Sequence, residues 1–323
     1  MQCKNPFALI QPNSQGILCL VAALVMLTLS DSIIKWLSPQ LALHEIVLLR
    51  SVFALLVIFV IVHLEGGITT LKTRRPALHL LRGSMLVLAN MFFFLGLASM
   101  PFAEAVALFY TAPLFICLLA KPVLGEQVGL ARWLAILLGL AGVGIMLRPG
   151  SEVFRLVSLL PVLAALSYAA MTMMTRRLGM QERAGAMAFY IQIAFILVSS
   201  LVGLGIGDGS YNQYDNETLA FLLRAWRWPD SEEFLLLVAC GFIVGLGGYL
   251  LSQAYRLAQA SIVAPFEYSS LPFALMVGYY FWGDWPDWIA FAGSGLIIGS
   301  GLIVVLLEQR KQYRQKPVAT RLG

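Results

Sequence analysis

Ten long apolar runs dominate this chain of 323 residues, at 16–37, 43–63, 79–99, 103–120, 131–148, 156–175, 186–207, 234–255, 262–282 and 288–307. A helix needs about 20 apolar residues to cross the hydrocarbon layer. Backbone amides in lipid must be satisfied within the segment, which favours helices over irregular structure. Only 12% of residues are charged, against about 25% in soluble domains. A soluble enzyme, a disordered chain and a nucleic-acid-binding protein are thereby excluded, since the last would gather its basic residues on one solvated face. The expected fold class is all-α integral membrane, with ten transmembrane helices. The first run is too long for a signal peptide and ends in Ser30, Asp31 and Ser32 instead of a cleavage site.

Basic residues set the expected orientation, because positive loops stay in the cytoplasm. With the N-terminus inside, sixteen of the 22 Lys and Arg fall on inner positions, including Lys72, Arg74, Arg75, Arg82 and Arg183. Only Arg148, Arg155, Arg224 and Arg227 fall outside. An even number of spans returns both termini to the cytoplasm of a cell inner membrane. The outer connection 208–233 is long and acidic, and it spaces Leu219, Leu222, Leu223 and Trp226 as one apolar stripe. That spacing predicts a short amphipathic helix on the outer surface.

The two halves echo one another. Leu29-Ser30-Asp31 through His44-Glu45 aligns with Leu166-Ser167-Tyr168 through Gln181-Glu182 at a constant offset. Pro113 finds its counterpart in Pro272, Gly125-Glu126 in Gly283-Asp284, and Gly142-Val143-Gly144 in Gly299-Ser300-Gly301. Five spans per copy is an odd number, so the second copy enters the membrane from the opposite side. Inverted repeats are characteristic of secondary transporters, which hold a substrate site between halves that rock about it.

These residues carry a family resemblance. Ser30-Asp31-Ser32 to Lys35-Trp36-Leu37, His44-Glu45 to Arg50-Ser51, Leu81-Arg82-Gly83, Ala103-Glu104-Ala105 to Tyr110-Thr111-Ala112-Pro113, and Gly139 to Gly144 resemble an EamA-type member of the drug/metabolite transporter superfamily. The pattern is most similar to its bacterial branch of riboflavin and S-adenosylmethionine importers. The resemblance implies a first EamA repeat at 16–148, a second at 156–307, and a basic cytoplasmic tail at 308–323. It also implies a cavity lined mainly by spans 1, 3, 4, 6, 8 and 9, with spans 5 and 10 peripheral. The long outer connection departs from the family's usual short one. The implied function is alternating-access transport of a small polar or aromatic metabolite, with amino-acid or drug efflux as the alternative. A membrane-embedded enzyme or a channel is the reading from another class.

Polar groups inside spans need a partner or a task. Asp31 and Arg50 flank the Ser38-Pro39-Gln40 turn and, at about 1.5 Å rise per residue, sit on the order of 12–16 Å along their helices from it. They therefore either form a clamp that fixes the first hairpin, or offer a docking charge that Asp31 releases. Glu267, in Pro265-Phe266-Glu267-Tyr268, has no basic neighbour in sequence and would suit proton coupling or a cationic substrate, or bond Arg256 or the backbone of a neighbouring helix. Glu45, Glu104 and Glu182 open helices, where a carboxylate favours the helix dipole. Asn90, Tyr110, Tyr168, Tyr249, Gln253 and Tyr268 supply the aromatic faces and hydrogen-bonding edges that a flat metabolite needs. Pro113, Pro265 and Pro272 interrupt corresponding spans of the two halves, the best sequence pointer to a transporter site. Gly203-to-Gly207, Gly241-to-Gly245 and Gly295-to-Gly299 read as close helix contacts. Cys3, Cys19, Cys117 and Cys240 show no metal spacing, no cofactor motif stands out, and no His-Glu-x-x-His or Gly-x-Ser-x-Gly occurs. The expected partners are a small-molecule substrate and membrane lipid.

Overall fold

The computed structural model describes residues 12–99, 102–126, 129–147, 157, 159–179, 182–212, 217–283 and positions 288, 289, 291–293, 295, 296, 299, 300 and 303. The described chain is helical. Six helices are long and apolar enough to cross a membrane: α1 (Pro12–Leu37), α2 (Leu43–Leu64), α3 (Pro76–Ser99, its apolar span ending at Ala98), α7 (Leu159–Gly179), α8 (Ala184–Ile206) and α10 (Ser231–Leu257). Between them lie α4 (Phe102–Phe109), α5 (Ala112–Leu124), α6 (Leu130–Leu147) and α9 (Glu217–Leu223), followed by α11 (Ala260–Val263) and α12 (Ser270–Trp282). Half of the span expected at 288–307 and all of the tail at 308–323 lie outside the described residues, as does Cys3.

Two of the expected spans are divided. The fourth is α4 and α5, separated at Tyr110–Thr111, with Pro113 in the first turn of α5. The ninth is α11, a 3-10 turn over Ala264–Ser269 that contains Pro265, and then α12 with Pro272 in its first turn. Proline lacks the amide proton that a continuing helix would donate, and its ring crowds the preceding turn. The sequence places this interruption in both halves. Each broken span ends on a left-handed glycine, Gly125 at φ 70° and Gly283 at φ 73°, a backbone region that side chains other than glycine rarely enter.

The long helices pair in a crossing pattern. α1 lies along α10 and α3 along α7, while α2 packs against α8 and α10. Gly241 and Gly245 make the α2–α10 contact possible. A Cβ on Gly241 would stand 2.7 Å from the Arg50 carbonyl oxygen, and one on Gly245 would stand 2.9 Å from that of Ala54. The other two glycine pairs behave differently from expectation. Gly203 and Gly207 receive the indole of Trp226, and Gly295 and Gly299 face nothing within 4 Å among the described residues.

The connection 208–233 is no free surface helix. Among its described residues ahead of α10 the helical part is α9, and Phe221 is buried in the bundle. Arg224 Nη1 donates to the carbonyls of Ser38 (2.7 Å) and Leu41 (3.2 Å), Arg227 Nε reaches that of Gln40, and Trp226 lies over His44 at 5.5 Å. Two arginines that the charge pattern places in an outer loop therefore cap the α1–α2 turn. Burial against that turn and the neighbouring Arg227 lower the pKa of the Arg224 guanidinium.

Apolar side chains gather in two layers. One holds Leu37, Leu41, Ile46, Phe94 and Leu237 near the α1–α2 turn. The other holds Leu20, Ile116, Ala135, Met171 and Tyr255 toward the opposite ends of the helices.

Candidate functional site

Between these layers lies a cavity of about 160 Å³. That exceeds by about tenfold the 10–15 Å³ that one water needs on a comparable measure. It is lined from α1, α2, α3, α4, α7, α8, α10, the 3-10 turn and α12. Arg50 from α2 and Ala188, Ile191, Gln192 and Phe195 from α8 therefore add a second and a seventh span to the lining that the resemblance implies.

Six of the nine residues singled out in the sequence line this cavity: Asp31, Arg50, Asn90, Tyr110, Tyr168 and Glu267. Arg50 is buried. Its Nη2 donates to Asn90 Oδ1 at 2.9 Å, and Asn90 is itself anchored by donating Nδ2 to the Leu86 carbonyl at 3.3 Å. The guanidinium carbon stands 5.8 Å from the centre of the Phe94 ring and 5.4 Å from that of Phe195, within cation–π range. Nε is buried with no hydrogen-bond partner among the described residues. Asp31 shares the cavity with Arg50 yet makes no hydrogen bond or ion pair among the described residues, so the two charges face a common space without closing into a clamp.

Glu267 occupies the break in the ninth span. Its Oε1 accepts from the hydroxyls of Tyr168 (2.9 Å) and Tyr255, and no basic group is among its partners in the described residues. Ser270 donates Oγ to the Glu267 carbonyl at 2.9 Å, so Tyr110 is the donor in the hydrogen bond between its hydroxyl and Ser270 Oγ. The break in the fourth span is thereby tied to the break in the ninth. Phe93, Phe109 and Tyr168 form an aromatic run beside them, with ring centres 5.2 and 5.3 Å apart.

The other three candidates lie elsewhere. Tyr249 donates to Glu65 Oε1 at 3.1 Å and accepts from Gln253 Nε2 at 3.0 Å, while Gln253 in turn accepts from Arg256 at 3.2 Å. Tyr268 points away to the Ile136 carbonyl at 3.4 Å, its ring laid against Gly139. On α10 it is Val244, Gly248, Leu251 and Ser252 that face the cavity. Tyr249 and Gln253 each follow one of these by a single residue, about 100° around the helix.

Three polar residues that the sequence reading passed over belong here. Gln192 is a buried lining residue whose Oε1 has no partner among the described residues. Tyr255 completes the phenol pair on Glu267. Arg82, expected among the inner-face charges, is instead one of the most deeply buried side chains. It donates to Thr175 Oγ1 (2.6 Å), the Met187 carbonyl (2.7 Å) and Ser252 Oγ (3.1 Å), and Ser252 lines the cavity. Glu182 likewise does more than open a helix: it accepts from Thr73 and pairs with His79 Nε2 at 2.9 Å. Glu45 keeps its first-turn position in α2, whereas the side chain of Glu104 is outside what the structure describes. Cys19, Cys117 and Cys240 are free, and Cys240 Sγ lies 3.3 Å from Ser30 Oγ.

The model of the EamA-like transporter family matches residues 14–148, from the start of α1 to the end of α6. Over those residues the chain is similar to the EamA-like transporter family. Its long apolar helices make it a membrane protein. A riboflavin transporter of Vibrio cholerae is 28% identical over 309 residues, which is 94% of this chain and 97% of that protein. An S-adenosylmethionine uptake transporter of Rickettsia conorii is 29% identical over 300 residues, 93% of this chain and 95% of that protein. A solved crystal structure aligns with a TM-score of 0.71 at 20% identity, covering 92% of this chain and 98% of that one, and shares the fold.

Proposed function

We propose that this chain is an EamA-type secondary transporter of the cell inner membrane, carrying a small planar metabolite, riboflavin-like or S-adenosylmethionine-like, by alternating access. One observation carries the reading: Arg50 and Asp31, unpaired with each other, face a shared cavity walled by Phe93, Phe94, Phe109 and Phe195. Aromatic faces suit a flat ring system. Charged and amide groups at the edge supply orientation. The relatives named for riboflavin and S-adenosylmethionine match nearly the full length.

In this reading the chain holds ten spans in two inverted repeats, 16–148 and 156–307, with both termini cytoplasmic. The helix pairing supports it. Exchange of the two halves turns the first-with-eighth contact (α1 on α10) into the third-with-sixth contact (α3 on α7), and both are present. The two broken spans meeting at Tyr110 and Ser270 fit a site held at the centre of that exchange. Glu267, held by phenols and, among the described residues, by no cation, is the group through which a proton would be coupled to transport.

Counterflow in proteoliposomes tests this. Preloaded riboflavin or S-adenosylmethionine should accelerate saturable entry of the labelled compound. Non-saturable flux would make the protein a channel. Arg50→Ala should lower uptake at least about tenfold, some 1.4 kcal/mol of transition-state stabilisation, with protein abundance held within about twofold. A proportional fall in both would return Arg50 to a structural role. Glu267→Gln should flatten the pH profile of uptake, and an unchanged profile removes it as the coupling group.

A further inference from the structure

A second pocket lies well away from the transport cavity, where three membrane-spanning helices end together. It is a space of about 290 Å³ walled by the loop between α2 and α3 and by the start of α8. Lys72, Arg74, Arg75 and Arg183 line it with Thr69 and Thr70, and one carboxylate, Glu182, completes the wall. That carboxylate is already engaged by Thr73 and His79. None of the four cations is in an ion pair among the described residues.

The pocket is built rather than frayed. Tyr190 of α8 donates its hydroxyl to the Leu71 carbonyl at 2.6 Å, and Thr73 holds Glu182, so the loop is fastened to α8 on both sides of Lys72. Thr70 Oγ1 donates back to the Gly67 carbonyl at 2.8 Å, closing the short 3-10 turn over Ile68–Leu71. Gly66, at φ 129°, leaves room for Arg183: a Cβ there would stand 2.7 Å from its Nη1. Glu65 accepts from the Gly185 amide at 3.1 Å and fixes the approach of α8.

We propose that this pocket binds a phosphate group, carried by an anionic phospholipid of the surrounding membrane. Four cations around one space supply charge-assisted donors for a phosphate's acceptor oxygens. The neighbours point to the lipid as its carrier. Leu64 at the end of α2 is 79% exposed, Ile68 in the loop 63% and Leu80 in the first turns of α3 68%, so bare apolar side chains stand on the same elements that carry the loop's cations. A free ion has no use for that apolar rim, whereas a lipid offers acyl chains to it and a headgroup to the arginines. The ends of α2 and α3 and the start of α8 set the pocket at headgroup depth, where basic pockets between helices hold acidic lipids.

Native mass spectrometry of the full chain, titrated with phosphatidylglycerol and with phosphatidylcholine of equal chain length, tests the proposal. The expected result is a clear preference for phosphatidylglycerol. Each basic residue near a membrane surface contributes about fivefold, so Arg74→Gln with Arg75→Gln should weaken phosphatidylglycerol binding by roughly twenty- to thirtyfold. Phosphatidylcholine binding should stay the same. Arg183→Gln alone should cost roughly fivefold and serves as the independent variant. Equal binding of the two lipids, or unchanged affinity in the double variant, overturns the proposal. Displacement of phosphatidylglycerol by millimolar inorganic phosphate would assign the pocket to the free ion and overturn the lipid as its source.

Discussion

Arg82 shows how much one side chain can organise when its charge is kept from water. Its three hydrogen-bond partners come from α7, α8 and α10, and all three are neutral. A planar fork of five donors can reach three acceptors in different directions, which a lysine cannot. Arg82→Lys should therefore fail to restore what Arg82→Ala removes. Hydrogen bonds to a charged group are each worth about 1.5–3 kcal/mol, and thermal unfolding in detergent should fall by several degrees in both variants. Equal melting temperatures for wild type and Arg82→Lys would mean that a point charge suffices. Sequence reasoning found the unusual charges Asp31, Arg50 and Glu267 because each interrupts an apolar run. It missed Arg82 because that residue lies near a basic loop, where one more arginine reads as an interfacial charge. Gln192 was detectable by the same rule as Asn90, a lone amide in an apolar helix, and had no companion motif to draw attention to it.

At the scale of elements, the close approach of α2 and α10 sets where Arg50 sits. Gly241→Ala would place a methyl group against Phe53 and the Arg50 carbonyl, both close to rigid backbone. Overpacking of this kind costs about 1–3 kcal/mol. The expected outcome is a lower melting temperature together with reduced transport, measured side by side. Gly205→Ala of α8 is the control, since a Cβ there meets nothing within 4 Å and the residue does not line the cavity. The long spans were legible from missing charge, and the two broken ones from proline. The rotation of each helix about its axis was not. α10 is apolar nearly all round, so no polar stripe fixes which side meets the cavity. Tyr249 and Gln253 were expected on it and stand about one residue's rotation away. The same lack of phase hid the true role of 208–233, whose arginines and indole answer to carbonyls and glycines distant in sequence.

For the molecule as a whole, the helix pairing has a test of its own. α1 lies on α10, α3 on α7, and α2 on α8 and α10, so the main contacts of the first 148 residues are made with the remainder. If 16–148 and 156–307 are the two repeats, fragments divided between residues 148 and 156 should accumulate and co-purify when produced together, and each should be degraded when produced alone. Stable accumulation of either fragment by itself would show that it has a sufficient core of its own.

The hydrogen bond between Tyr110 and Ser270 joins the two places where helices are interrupted, and so it spans a seam. In any motion that separates those broken segments, this bond must open, and neither hydroxyl can turn to bulk water at that depth. A passing solute with a hydroxyl or a carbonyl could take over the lost partner. The seam would then part most readily when cargo is present, so that one pair of hydroxyls acts as a toll gate against empty or leaking cycles.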